Sequence, residues 1–152
     1  MKEQSGLTSK LIDLLQGEKI VSLITNDEKT GQPDLAMISW VVANSRGDRI
    51  NFAIGHNASS AKNIQTDPNV ILGVIGAGSC FSIKGKGKVS DIIEKTIKVR
   101  VVSVEIESVE DVMFYGGKVI TEPAYEKTYN KSLAEKLDNE IYSLLIEKKI
   151  TV

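Results

Sequence analysis

Apolar and polar positions alternate through most of this chain, and only its two ends and one internal stretch keep a helical period. Leu7, Leu11, Leu14 and Leu15 recur at helical spacing ahead of Gly17, which predicts a short opening helix. Residues 19–26 read as a strand ending in the polar turn DEKTGQP. Residues 34–44 form a longer second strand with apolar residues on both faces, as expected inside a barrel or beneath a cofactor. The turn Ser45-Arg46-Gly47-Asp48 leads into a third strand, residues 49–54, where Ile50, Phe52 and Ile54 make one apolar face. Residues 70–75 and 79–89 are two more strands, joined by Gly76-Ala77-Gly78. In the second of them Phe81, Ile83 and Val89 point one way and Lys84, Lys86 and Lys88 the other. A sixth strand, residues 97–106, carries Val99 and Val101 on one face and Val102, Val104 and Ile106 on the other. It should contain a bulge or be buried on both sides. Gly116-Gly117 marks a turn in the less regular stretch that follows. Ser132 and Glu135 have capping-box spacing, and Leu133, Leu137, Ile141, Leu144 and Leu145 form the stripe of a terminal helix.

Six short strands joined mainly by hairpins, with helices at the termini and in one short crossover, predict a mainly β fold. The expected architecture is an antiparallel barrel with peripheral helices. A length of 152 residues fits a single domain over residues 1–152 with a core large enough to need no disulfide. Net charge is −1, so no long-range field favours nucleic acid or an anionic membrane. The N-terminal stretch has no continuous apolar run and reads as neither signal peptide nor membrane span, which points to a cytoplasmic protein. One histidine, His56, and one cysteine, Cys80, leave no metal-ligating cluster and no internal disulfide. Cys80 reads as a small buried hydrophobe.

Candidate chemistry concentrates in GHNASSAKNIQTDPNV, residues 55–70. Between two strands stand the hydroxyls of Ser59 and Ser60, then Lys62 and Asn63 on a short helix closed by Asp67-Pro68. Hydroxyls and a lysine around a helix N-terminus suit an anion, because the first N–H groups lack partners and the dipole favours negative charge. The plainer reading is that Ser59 or Ser60 caps the helix and Lys62 is solvated. VIGAGSCF, residues 74–81, looks at first like a dinucleotide fingerprint, yet Phe81 stands where the third glycine belongs and a strand follows instead of a helix. It is a hairpin turn.

The order strand, hydroxyl-rich turn, short helix, Asp-Pro, strand resembles the flavin-phosphate segment of the FMN-binding split-barrel family, the relatives of pyridoxamine 5'-phosphate oxidase. The likeness covers roughly residues 18–109 as a pattern. It implies a six-stranded split β-barrel and a homodimer with FMN at its interface, each site drawing on both chains. Ser59, Ser60 and Lys62 would then meet the phosphate, with Lys84 on a neighbouring strand as a second source of charge. Ser39 and Trp40 would lie under the flavin ring, Asn57 would reach the ribityl chain, and Ile54 would be a further cofactor contact. Trp40 serves equally well as a core aromatic, and Asn57 as a turn former. The family's oxidases present Ser-Arg-Lys where this chain has Ala58-Ser59-Ser60, so two charge-assisted contacts become neutral ones. The implied activity is flavin-dependent oxidoreduction with a small-molecule substrate or electron donor. Pyridoxamine phosphate oxidation is disfavoured, because the lysine-ended tail lacks the family's substrate-binding Arg and His. A flavin- or haem-holding protein without turnover and a barrel that has lost its cofactor are the rival readings.

Overall fold

The computed structural model describes residues 3–147, so the tail lysines Lys148 and Lys149 lie outside the described residues. In that range the elements run β1 (Glu3–Gln4), α1 (Ser9–Leu14), β2 (Val21–Asn26), β3 (Pro33–Ile38), β4 (Val41–Ala43) and β5 (Arg49–Gly55). Then follow α2 (Ser59–Thr66), β6 (Asn69–Gly76), β7 (Ser79–Val89), β8 (Ile93–Glu94), β9 (Lys98–Asp111) and α3 (Lys131–Glu147). The strands form one antiparallel sheet in the order β3-β2-β6-β7-β9-β5-β4, with β1 and β8 attached to β9. The fold is the expected curled antiparallel sheet with helices at its periphery, and the strand count is its main departure. β1 and β8 are two-residue additions, and the single strand expected over residues 34–44 is broken into β3 and β4.

That break has a local cause. The Val41 N–H donates to the Ser39 carbonyl at 3.0 Å, closing a three-residue turn in the middle of the strand. Before the turn the chain pairs with β2; after it the chain pairs with β5. The two ends of the sheet are therefore neighbours in sequence, and the sheet curls until it stands open along one seam.

Val21, Leu23, Phe52, Leu72, Ile83, Val102 and Val104 fill the inside of the curl, with Leu11 and Leu15 from the N-terminal segment. β9 is buried on both sides, as expected: Val99 and Val101 turn away from the barrel and pack with Ala53 against Ile141 and Leu145 of α3. It also carries the bulge, since the register with β7 slips between Lys84↔Ser108 and Gly85↔Ile106. The one-sided pattern expected of the third strand is overturned for the same reason. Asn51 and Ala53 on its outer side are buried beneath α3, where Asn51 donates to the Leu145 carbonyl at 2.9 Å. The helix start differs too. Asn130 caps α3 by accepting the Leu133 N–H at 3.0 Å, which leaves Ser132 and Glu135 inside the helix rather than forming a capping box. Ala77 and Gly78, at φ +52° and +82°, make the hairpin between β6 and β7. Cys80 is half-buried, not fully enclosed.

α2 closes one end of the barrel. Ser60, Ala61, Asn63 and Ile64 face inward, and Gly87 makes the seat possible, since a Cβ there would lie 3.0 Å from Ile64. Asn63 locks the helix to two strands: it accepts the Glu28 N–H at 2.9 Å and donates to Thr25 at 3.0 Å and to Asp34 at 3.2 Å. Asp67 ends the helix in extended backbone, as the following proline requires. Its carboxylate accepts from the Asn26 side chain at 3.0 Å and from the Asn69 N–H at 3.1 Å.

Two stability predictions follow from this anchorage. Asn63→Ala strands the buried Thr25 hydroxyl and releases the Glu28 N–H, and should cost about 1–3 kcal/mol in chemical denaturation. The hydrogen bonds from Asn26 and Asn69 hold the Asp67 carboxyl below its ordinary value of 3.8. A folded-state pKa depressed in this way gives stability that is full above the unfolded value and lost as pH falls through the folded one. Asp67→Asn should therefore flatten the fall in melting temperature below about pH 4, the range set by the reference carboxyl pKa.

Candidate functional site

The seam of the sheet gathers Ser39, Trp40 and Ile54 from the candidate residues. β3 is a terminal strand whose outer edge has no strand partner among the described residues. Across the seam, the β5 residues that β4 pairs with are Ile50, Asn51 and Phe52, so the last residues of β5 lie beyond its reach. One bond, from the Ala53 N–H to the Trp40 carbonyl at 3.0 Å, pins the apex. The result is a wedge with Ser39 and Trp40 at its apex and Ile54 and Gly55 on one wall. The free edge of β3 forms the other wall. Unpaired strand edges offer N–H and C=O groups to a planar polar ligand.

The turn after β5 delivers the chain to α2, with the Ala58 N–H bonded to the Gly55 carbonyl at 3.0 Å. The helix begins at Ser59, and the residue in the capping position is Ala58, so no side chain caps it. The capping reading of Ser59 and Ser60 is thereby excluded. Ser60 is only 5% exposed, and its hydroxyl has no hydrogen-bond partner among the described residues. Ser59 and Lys62 share the opposite, solvent-facing side of the helix, and Asn57 is exposed in the turn. Lys84 is set apart from this group. It stands opposite Ile71 and Ser108, beyond the C-terminal end of α2 rather than at its hydroxyl end.

At the apex, Ser39 and Trp40 are held from outside the barrel. The Trp40 indole N–H donates to Asp138 of α3 at 2.9 Å, and its half-buried ring packs with the second apolar cluster. The Tyr142 hydroxyl donates to Glu18 at 2.9 Å and touches the Ser39 carbonyl at 3.3 Å. Burial drives the Tyr142 phenol well above its ordinary pKa, so it stays a neutral donor. Lys127 bridges Asp138 at 2.7 Å and Glu18 at 3.7 Å. Burial works against its charge, but Asp138 outweighs that and raises its pKa. Residues 112–130 run as a strap from β9 back over this cluster. Glu122 anchors the strap to Lys19 at 3.0 Å, and that bond holds its carboxyl below the ordinary range. Beneath the strap a cavity of about 280 Å³ is lined by Ser39, Trp40, Tyr125, Lys127 and Tyr129. The Tyr125 hydroxyl is buried without a hydrogen-bond partner among the described residues.

Two groups beside the candidate site escape the pattern reading. The strap carries no periodicity, so its aromatics were invisible as site residues. Arg100 is the other. It pairs with Ile54 across β5 and β9, and its guanidinium donates to the carbonyls of His56 at 3.4 Å and Ser90 at 2.9 Å. A lone arginine on the barrel-facing side of the valine-rich run KVRVVSV was the available signal.

No family model and no curated protein sequence matches the chain. Solved structures do. A candidate pyridoxamine 5'-phosphate oxidase from Lactobacillus delbrueckii superposes with a TM-score of 0.61 at 17% identity, over 72% of this chain and 99% of its own. HupZ of Group A Streptococcus gives 0.60 at 11% identity, over 74% and 98%. An F420 reductase gives 0.52 at 16% identity, over 64% and 94%. At these identities the likeness concerns architecture, and it agrees with the curled antiparallel sheet and peripheral helices described above. The chain has the split-barrel fold of the pyridoxamine 5'-phosphate oxidase-like proteins.

Proposed function

We propose that this chain is an FMN-binding flavoprotein that carries out redox chemistry on a small molecule as a homodimer. The reading rests chiefly on the open N-terminus of α2, where Ala58 provides no cap and the Ser60 hydroxyl, on a residue only 5% exposed, is not engaged by another described residue. A phosphate would satisfy the first N–H groups, the helix dipole and that hydroxyl together. The free edge of β3 would hydrogen-bond the polar rim of the ring, and Ser39 and Trp40 would close the narrow end of the wedge. Bound FMN supplies the redox chemistry; the chain supplies anchoring, orientation and exclusion of water.

A second copy of the chain has a natural seat. The outward apolar side of β9 is covered by α3, since Val99 and Val101 are fully buried against Ile141 and Leu145. The register instead aligns Leu35 with Ile24 and Ile71, and Met37 with Ser22 and Gly73, on the outer face of the sheet. Leu35 and Met37 are 66% and 58% exposed. They stand on the strand that borders the seam, so a partner seated there would roof the wedge. The rival reading, a carrier that binds without turnover, draws support from Ala58-Ser59-Ser60, whose neutral hydroxyls hold phosphate more weakly than an Arg-Lys pair.

Absorbance titration of the purified protein with FMN and riboflavin tests the cofactor. FMN should bind at least about tenfold more tightly, the worth of one charge-assisted hydrogen bond, and Ser60→Ala should narrow the gap. Equal affinity for both flavins would remove the phosphate site, and no binding of either would leave a barrel without its cofactor. Turnover of an artificial acceptor with reduced nicotinamide separates enzyme from carrier. For the dimer, Met37→Lys should shift light-scattering mass from two chains to one and weaken flavin binding. A wild-type monomer at micromolar concentration with FMN present would refute the assembly.

A further inference from the structure

We propose that Arg100 is the cationic ligand of the phosphate at the α2 terminus, filling the role that the missing Arg-Lys pair leaves open. The inference rests on the phosphate reading of that terminus and names the charge that reading lacks. Arg100 is half-buried, and its two hydrogen bonds go to neutral backbone carbonyls, His56 and Ser90. Among the described residues it makes no ion pair with a carboxylate. A guanidinium has five N–H donors, so two bonds leave most of its fork and its whole charge uncompensated. A guanidinium partly shielded from water and unpaired is suited to meeting an anion.

Position supports the same assignment. Arg100 lies opposite Ile54, the residue just before the Gly55–Ala58 turn. Its Nε bond ends on His56, three residues before the first residue of α2. On β9 it shares the inward side with Val102 and Val104, at the barrel end that α2 covers. Ser60 belongs to the inward face of that helix, and its hydroxyl makes no hydrogen bond to another described residue. The two groups thus approach the same barrel end from β9 and from α2. Lys62 faces solvent, and Lys84 stands beyond the far end of the helix. The bonds to His56 and Ser90 orient the fork and hold the turn while leaving donors free for phosphate oxygens.

The test uses inorganic pyrophosphate beside the two flavins, with wild type, Arg100→Lys, Arg100→Gln and Lys62→Ala. Pyrophosphate should raise the melting temperature of the wild type, through its preferential binding to the folded state. Arg100→Gln should lose that shift and bind FMN roughly tenfold or more weakly, while its riboflavin affinity stays at the wild-type level. Arg100→Lys should recover part of both effects and keeps the charge if the glutamine variant folds poorly. A role in merely bracing the turn would instead weaken both flavins alike and would not respond to restored charge. The proposal is overturned if pyrophosphate fails to stabilise the wild type. It is equally overturned if Lys62→Ala carries the loss while Arg100→Gln binds like wild type. Pyrophosphate binding through Arg100 with no flavin bound would sink the FMN reading and leave Arg100 as an anion ligand.

Discussion

One strand of this protein is shared between two neighbours, and the three-residue turn at Ser39–Trp40 makes that possible. A straight strand over residues 33–43 would keep one partner throughout and extend the sheet. The turn hands the chain from β2 to β5, so the two ends of the sheet are tied together at a single point. From that point the edges diverge, and the wedge follows from the geometry without any loop being needed to build it. Backbone groups along the diverging edges stay unpaired, which is the condition for binding a polar planar molecule there.

The tie has to be braced, because it lies where pairing is thinnest. Trp40 is held by Asp138, Asp138 by Lys127, and Lys127 by Glu18, which also accepts from Tyr142. Each member satisfies another, so a half-buried polar cluster can stand beside an apolar one without a stranded charge. α3 supplies two of these groups while covering the outer faces of β5 and β9. The brace therefore depends on the same helix that buries the second cluster.

The two ends of the candidate site are built by different means. The apex depends on contacts from α3 and the strap, far along the chain. The candidate anion end depends on a local run, Gly55–Thr66, plus Asn63 bonds to Thr25 and Asp34 that tie the helix to β2 and β3. Most of that end was legible, because hydroxyls, a helix and Asp-Pro follow one another within a dozen residues. Arg100 was not, because a strand pairing 46 positions away from Ile54 brings it there. Lys84 was legible as a basic residue on a neighbouring strand, and the register sets it opposite Ile71, past the C-terminal end of α2.

Local patterning alone determined the strand and helix segments, the hairpin at Ala77-Gly78 and the antiparallel curled architecture, since each depends on period or turn chemistry within a few residues. It also located the hydroxyl-rich start of α2. Tertiary structure decided the break at Ser39–Trp40, for a strand with apolar residues on both faces reads the same whether it keeps its partner or changes it. It decided which apolar faces remain open, because α3 covers β9 and leaves Leu35 and Met37 exposed. It also decided whether Ser59 and Ser60 cap their helix, since capping turns on one residue of register at the helix start. Periodicity fixes which side chains share a face; only packing settles what that face meets.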